Sequence, residues 1–269
     1  MGALNPLRIV SDIRQHRHLL GMLVRRDVLL KYRGSILGIG WSFLHPLLLL
    51  LVFSLISGSA FGGRWPGSGH DVHAIPLAIY CGLVIFSPFS EILSGAPRLL
   101  QNHTSYVKKI VFPTQLLPLM MVLSATLHAS INMVLLLAAL ALFAQWHASL
   151  LLLPLVLLPA FLLACGMAWL LATLGVFVRD LVHVMPVFTQ VLLFLSPVFY
   201  PAGIIPEQWQ WLYQLNPLAA IIENLRRVAL HGQPPLWDVL AVTFVVGMLA
   251  LLLGYAAFRH SQEEFADVL

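Results

Sequence analysis

The chain has 269 residues, 59% of them hydrophobic and 10% charged, with a mean hydropathy of +0.89 and a formal net charge of +4. That balance excludes a water-soluble protein and leaves no stretch polar enough for a separate soluble domain. Cys81 and Cys165 both lie inside apolar runs and read as small hydrophobes, which excludes a disulfide framework or a cysteine metal site.

The first 35 residues are polar and basic and lead into an apolar run, so no secretory signal peptide is expected. Leu19, Leu20, Leu23, Val24 and Leu30 can form an apolar stripe beside Arg25, Arg26 and Lys31. Such a helix would lie among lipid headgroups with its cations on the phosphates. Six apolar segments follow, at about 36–61, 75–93, 114–143, 149–178, 183–200 and 236–258. A bilayer core about 30 Å thick needs roughly 20 residues of helix. From Ile110 through Val178 there is no Asp, Glu, Lys or Arg, and Gln145-Trp146-His147 is the only polar break between the third and fourth segments. The fifth segment is short and contains Pro186 and Pro197. The predicted fold is therefore an all-α polytopic membrane protein with six transmembrane helices. It forms one membrane domain over 36–269, behind an interface segment at 1–35.

Basic residues choose the orientation. Arg8, Arg14, Arg17, Arg25, Arg26, Lys31, Arg33, Arg98, Lys108, Lys109, Arg179 and Arg259 fall on the side of the two termini. Only Arg64, Arg226 and Arg227 fall on the other. Both termini are expected in the cytoplasm.

Between the segments, residues 97–113 combine flanking prolines, three cations and apolar Leu99, Leu100, Val107 and Ile110, a pattern that suits a short surface helix. Residues 201–235 are long for a loop, yet apolar. Pro206-Glu207 reads as the first turn of a short helix, Asn216-Pro217 as its break, and Leu218 to Leu230 as a second helix. Trp209, Trp211 and Tyr213 suit the headgroup level. Two short re-entrant helices in the outer leaflet are expected here, with Glu223, Arg226 and Arg227 at the interface and an i, i+3 or i, i+4 pair among them. Glu91 is an intramembrane carboxylate and so a functional candidate; its place near the cytoplasmic end favours a snorkelling interfacial role. His45 and His128 read as polar lining or as satisfied interhelical hydrogen bonds. His70, Asp71 and His73 are a weak metal pattern in an outer loop. The chain has no phosphate loop of the G-x-x-x-x-G-K-[ST] type, no H-E-x-x-H and no G-x-S-x-G.

These features resemble the ABC-2 type permeases that export O-antigen, capsule and teichoic acid polymers. The resemblance is carried by R-R-D-V-L-L-K-Y-R-G-S-I-L-G-I-G-W-S-F-L-H-P (Arg25 to Pro46), with Arg26-Asp27, Lys31-Tyr32-Arg33, Ser35, Leu37-Gly38, Trp41-Ser42 and Pro46 as the matching steps. S-P-V-F-Y-P (Ser196 to Pro201), Ile205-Pro206, L-N-P-L (Leu215 to Leu218), Arg226 and the turn Val178-Arg179-Asp180 add to it. It implies a homodimer of six-span subunits in the bacterial inner membrane, paired with two copies of a separate ABC ATPase that binds ATP and Mg. No cofactor is then expected on this chain, which is not itself an enzyme, and no nucleic acid among its partners. The segment at about 97–113 would be the coupling helix seated in the ATPase, with Arg98, Tyr106, Lys108 and Lys109 as its candidate contacts. The first and fifth spans would line the polymer path, the outer helices would gate it, and the N-terminal helix would sit where lipid-linked substrate arrives.

Sugar C–H faces stack on aromatic rings, which makes Tyr32, Trp41, Phe194, Phe199, Tyr200, Trp209, Trp211 and Tyr213 candidate path residues. Arg25, Arg26, Lys31 and Arg33 could meet the diphosphate of a polyprenyl-linked glycan through charge-assisted hydrogen bonds. The competing readings are an ABC-2 permease for a small lipid or drug, a membrane-embedded acyl- or glycosyltransferase, and a scaffold subunit. A neighbouring ATPase gene would separate transport from the last two, and neighbouring glycosyltransferase genes would favour polysaccharide.

Overall fold

A computed structural model describes residues 6–60, 74–108, 112–143, 146–201, 203 and 205–269; the side chains of 6–10, 39, 45, 50, 53, 54, 56–60 and 74 are not described. Among the described residues the regular structure is helical throughout: α1 (Pro6–Gln15), α2 (Arg17–Lys31), α3 (Trp41–Ala60), α4 (Ala74–Asn102), α5 (Thr104–Val107), α6 (Leu116–Leu142), α7 (Leu153–Phe177), α8 (Leu181–Leu195), α9 (Gln210–Leu215), α10 (Pro217–Ala229), α11 (Trp237–Ser261) and α12 (Phe265–Val268). Four of these, α4, α6, α7 with its leading 3-10 turn, and α11, are long and apolar enough to cross a bilayer.

The tightest packing is α7 against α11, and small residues explain it. A Cβ at Gly254 would fall on the Gly166 carbonyl, and one at Gly166 on the Ala250 backbone. In lipid, helices gain little from hydrophobic burial against each other, so close backbone approach and dispersion decide which faces meet. α4 is the centre of the bundle, packed against α3, α6, α7, α8 and α10. Gly175 on α7 lets the Pro97 backbone of α4 approach, and Gly82 on α4 does the same for Val198. Trp169 donates to the Gln115 carbonyl at 3.0 Å and meets Tyr255 edge-on at 5.3 Å. The Tyr255 hydroxyl donates to Asp12 at 2.6 Å, tying α1 to the far end of the chain.

Several predicted boundaries move, each for a local reason. The first span does not begin at 36: Gly34 and Gly38 take positive φ (85° and 53°), a 3-10 turn covers Gly38–Gly40, and the helix begins at Trp41. The second helix does not stop at 93. It runs through Pro88 and Pro97 to Asn102, since a membrane helix buried in a bundle tolerates proline. The predicted surface helix at 97–113 is thereby shortened to the single turn Thr104–Val107. The fifth helix passes Pro186 and ends before Pro197; its 15 residues reach about 22 Å at 1.5 Å per residue, short of a full crossing. The outer segment does hold short helices: a 3-10 turn at Glu207–Trp209, then α9 and α10. His70, Asp71, His73 and Lys109 lie outside the described residues, as does the side chain of His45.

Candidate functional site

The functional candidates gather at the two ends of α4, and the two ends are built from different chemistry. At the end next to α2, the apolar stripe is confirmed in part. Leu20, Leu23 and Val24 are buried and α2 packs on α6, but Leu30 is exposed. The polar side of α2 meets α4, and its end lies beside His128 of α6. Lys31 forms an ion pair with Glu91 of α4 and lies 3.9 Å from Asp27 one turn back. Glu91 is thus a partner in an interhelical pair rather than a lone snorkelling carboxylate.

Arg26 Nη1 donates to the Tyr106 hydroxyl, and its guanidinium carbon stands 5.9 Å from the centre of the same ring. Tyr106 in turn packs on Phe112 at 4.6 Å and on His103 at 6.0 Å. Two of the four cations assigned to a diphosphate are therefore engaged within the chain, by Tyr106 and by Glu91. Arg25 and Arg33 are exposed and line an open groove with Met22, Leu29 and Leu30.

Beyond α2, the Tyr32 hydroxyl is hydrogen-bonded to Ser42, closing the glycine turn, and its ring lies 5.7 Å from His128. The interhelical hydrogen bonds expected of His128 are absent: both ring nitrogens are buried without a partner among the described residues. Trp41 is 44% exposed. Of the proposed coupling residues, Arg98 and Lys108 are exposed and Tyr106 is half-buried, while Val107 is buried and anchors α5.

At the other end of α4 a single arginine organises the structure. Arg226, on α10, is only 2% exposed. Its Nε donates to the Ala78 carbonyl of α4 at 3.0 Å, Nη2 to Val198 at 2.9 Å and Nη1 to Tyr200 at 3.4 Å. Glu223 lies 3.8 Å away, one turn earlier. Desolvation pulls the guanidinium's pKa below its ordinary value, opposed by the charges around it; an arginine remains protonated at neutral pH all the same. Sequence reasoning placed Arg226 at the lipid interface. It is buried instead, because α8 ends at Leu195 and the turn behind it leaves the Val198 and Tyr200 carbonyls without helical partners. A planar fork of five donors is the one side chain able to serve both of these and the Ala78 carbonyl of α4 at once.

Asn216 fastens the start of α10. Its Oδ1 accepts from Leu218 N at 3.0 Å as a helix cap, and its Nδ2 donates to Ser196 Oγ at 2.9 Å. Asn224 Oδ1 accepts from Leu236 N at 2.7 Å, and Ser149 Oγ donates to the Val228 carbonyl at 2.7 Å. The Asn-Pro step was legible as a break; the partners of Asn216 and Asn224, far along the chain, had no local signal.

The aromatic candidates sit in three groups. Tyr32 and Trp41 are at the α2 end. Phe194, Phe199 and Tyr200 surround the end of α8, where the Tyr200 hydroxyl donates to the Phe194 carbonyl at 2.7 Å. Trp209, Trp211 and Tyr213 are carried by the outer turn and α9. Phe194, Trp209 and Trp211 are all more than half exposed, while Phe199, Tyr200 and Tyr213 are half-buried. Burial raises the Tyr213 hydroxyl above the ordinary tyrosine range, so it stays a neutral donor. No group of three or more metal-ligating side chains occurs among the described residues.

Residues 18–230 match the model of a family described as ABC-2 type transporter. The O-antigen export system permease protein RfbA of Myxococcus xanthus is 26% identical over 264 residues, covering 97% of this chain and 99% of that protein. An O-antigen export system permease protein RfbA of Klebsiella pneumoniae is 23% identical, covering 93% and 95%. The polysialic acid transport protein KpsM of Escherichia coli is 24% identical, covering 90% and 92%.

Proposed function

Taking as premise that the chain belongs to the ABC-2 type transporter family, we propose that it is the membrane subunit of an exporter that moves a polyprenyl-diphosphate-linked polysaccharide, foremost an O-antigen, across the bacterial inner membrane. The observation that carries this reading is the similarity to O-antigen export permeases over 97% and 93% of the chain. In this reading the chain crosses the membrane six times, α8 completing its passage with the turn that follows it, and both termini are cytoplasmic; it works as a homodimer with two copies of a separate ATPase that supplies ATP binding and hydrolysis.

The geometry supports a division of labour. The groove of Arg25 and Arg33 beside Leu29 and Leu30 offers cations next to apolar surface, the pairing a prenyl diphosphate asks for. The exposed rings of Trp41, Phe194, Trp209 and Trp211 offer faces on which sugar rings stack. α10, fixed by Arg226 and Asn216, holds the outer aromatic group in place as the rim of a gate. Arg98 and Lys108, with Tyr106 between them, face the ATPase. The test is ATP hydrolysis by the complex of this chain with its ABC ATPase, with and without polyprenyl-diphosphate-linked oligosaccharide. Stimulation by the glycan is expected. A stable complex indifferent to it would move the assignment to lipid or drug export.

A further inference from the structure

Two sites that the sequence keeps 80 positions apart are in contact: the cationic helix α2 and the ATPase-facing segment α5 meet through Arg26 and Tyr106. We propose that this contact is the joint that carries movement of the coupling segment to the substrate-receiving helix. The inference rests on the export reading above and adds a mechanism to it.

The geometry suits a joint. α5 is one turn long, too short to hold itself as a helix, so its position is set by what its side chains touch. Val107 is buried and Tyr106 packs on Phe112, leaving the hydroxyl end of Tyr106 to Arg26. The guanidinium engages that ring in two ways, as a hydrogen-bond donor to the oxygen and as a cation near the face. A displacement of the ring therefore pulls on Arg26 in a defined direction. Arg26 sits on the same helix as Arg25, and α2 leads directly to Arg33, so the cations of the groove move with it. One turn further on, the Lys31–Glu91 pair ties the end of α2 to α4, the helix from which α5 hangs. α2 is thus joined twice to one arm, α4–α5, while its apolar side stays on α6. Both contacts are half-exposed side-chain pairs, which can loosen and re-form in a transport cycle.

Arg26 and Tyr106 are positioning residues in this account, so the readout is the ratio of glycan-stimulated to unstimulated ATP hydrolysis in the full complex, probed with polyprenyl-diphosphate-linked oligosaccharide. Arg26→Ala and Tyr106→Ala should each lower that ratio about threefold, on the order of one exposed cation–aromatic contact. The double variant should be no worse than either single one, because both remove the same link. Arg26→Lys and Tyr106→Phe keep a cation and a ring respectively, and should recover part of the ratio. Singles that stimulate like the wild type, or losses that add in the double variant, would overturn the joint while leaving the export reading intact. A wild-type complex that ignores the glycan would overturn both.

Discussion

The two ends of α4 solve the same problem, fastening a neighbouring helix, in opposite ways. At the α2 end the fasteners are side chain on side chain: Lys31 with Glu91 and Arg26 with Tyr106, all partly exposed. At the α10 end the fastener is one arginine, 2% exposed, on three main-chain carbonyls. A half-exposed pair contributes little and can exchange with water or another ion. A buried cation held by several backbone acceptors cannot exchange them for water, and removing it leaves the Val198 and Tyr200 carbonyls unsatisfied. The contrast separates fasteners that can exchange their partners from one that cannot.

The largest effect should come from breaking the fixed end. Arg226→Ala should cost about 3–5 kcal/mol, from about 1–3 kcal/mol for each buried acceptor left unsatisfied. In thermal unfolding of the detergent-solubilised protein that is a fall of about 10 °C. Arg226→Lys should recover little of it, since one ammonium cannot fork to Ala78, Val198 and Tyr200. A lysine variant as stable as the wild type would remove the basis for the contrast. Asn216→Ala should come next, at about 1–2 kcal/mol for a lost helix cap and the orphaned Ser196 hydroxyl, read in the same unfolding experiment.

How far the sequence went follows the same division. The apolar runs, the Asn216-Pro217 break and the aromatic outer segment were legible because each is a local pattern. The length of α4 was not, since its passage through Pro97 depends on the burial of the surrounding bundle. Arg226 looked like an interface residue because its acceptors come from positions 78, 198 and 200. Lys31 could be placed by charge bias, and Glu91 by its position near the end of the second apolar segment, on the same side of the membrane, but their pairing depends on α2 folding back against α4. The contact of Arg26 with Tyr106 had no local signal either, since 80 positions separate the two.

Smaller effects on stability, and larger ones on turnover, are expected at the α2 end. Lys31→Gln or Glu91→Gln should shift unfolding by less than about 1 kcal/mol. The exchanged pair Lys31→Glu with Glu91→Lys should restore only part of that loss, because a carboxylate at position 31 then faces Asp27 one turn back. A shift as large as that of Arg226→Ala would mean that both ends are permanent fixtures. The aromatic residues should show the smallest change in stability. Trp41→Ala and Trp211→Ala remove rings that are 44% and 56% exposed, so insertion and unfolding should be nearly unchanged while glycan export falls several-fold. Normal export by both variants would remove the stacking rings from the path.

The most direct test of the central claim is transport itself, in inverted inner-membrane vesicles containing this chain and its ABC ATPase. Polyprenyl-diphosphate-linked glycan is supplied outside, with or without ATP, and the fraction that becomes protected from added glycosidase is measured. ATP-dependent protection that needs both subunits is the predicted result. Hydrolysis that proceeds with no glycan reaching the lumen would contradict the account.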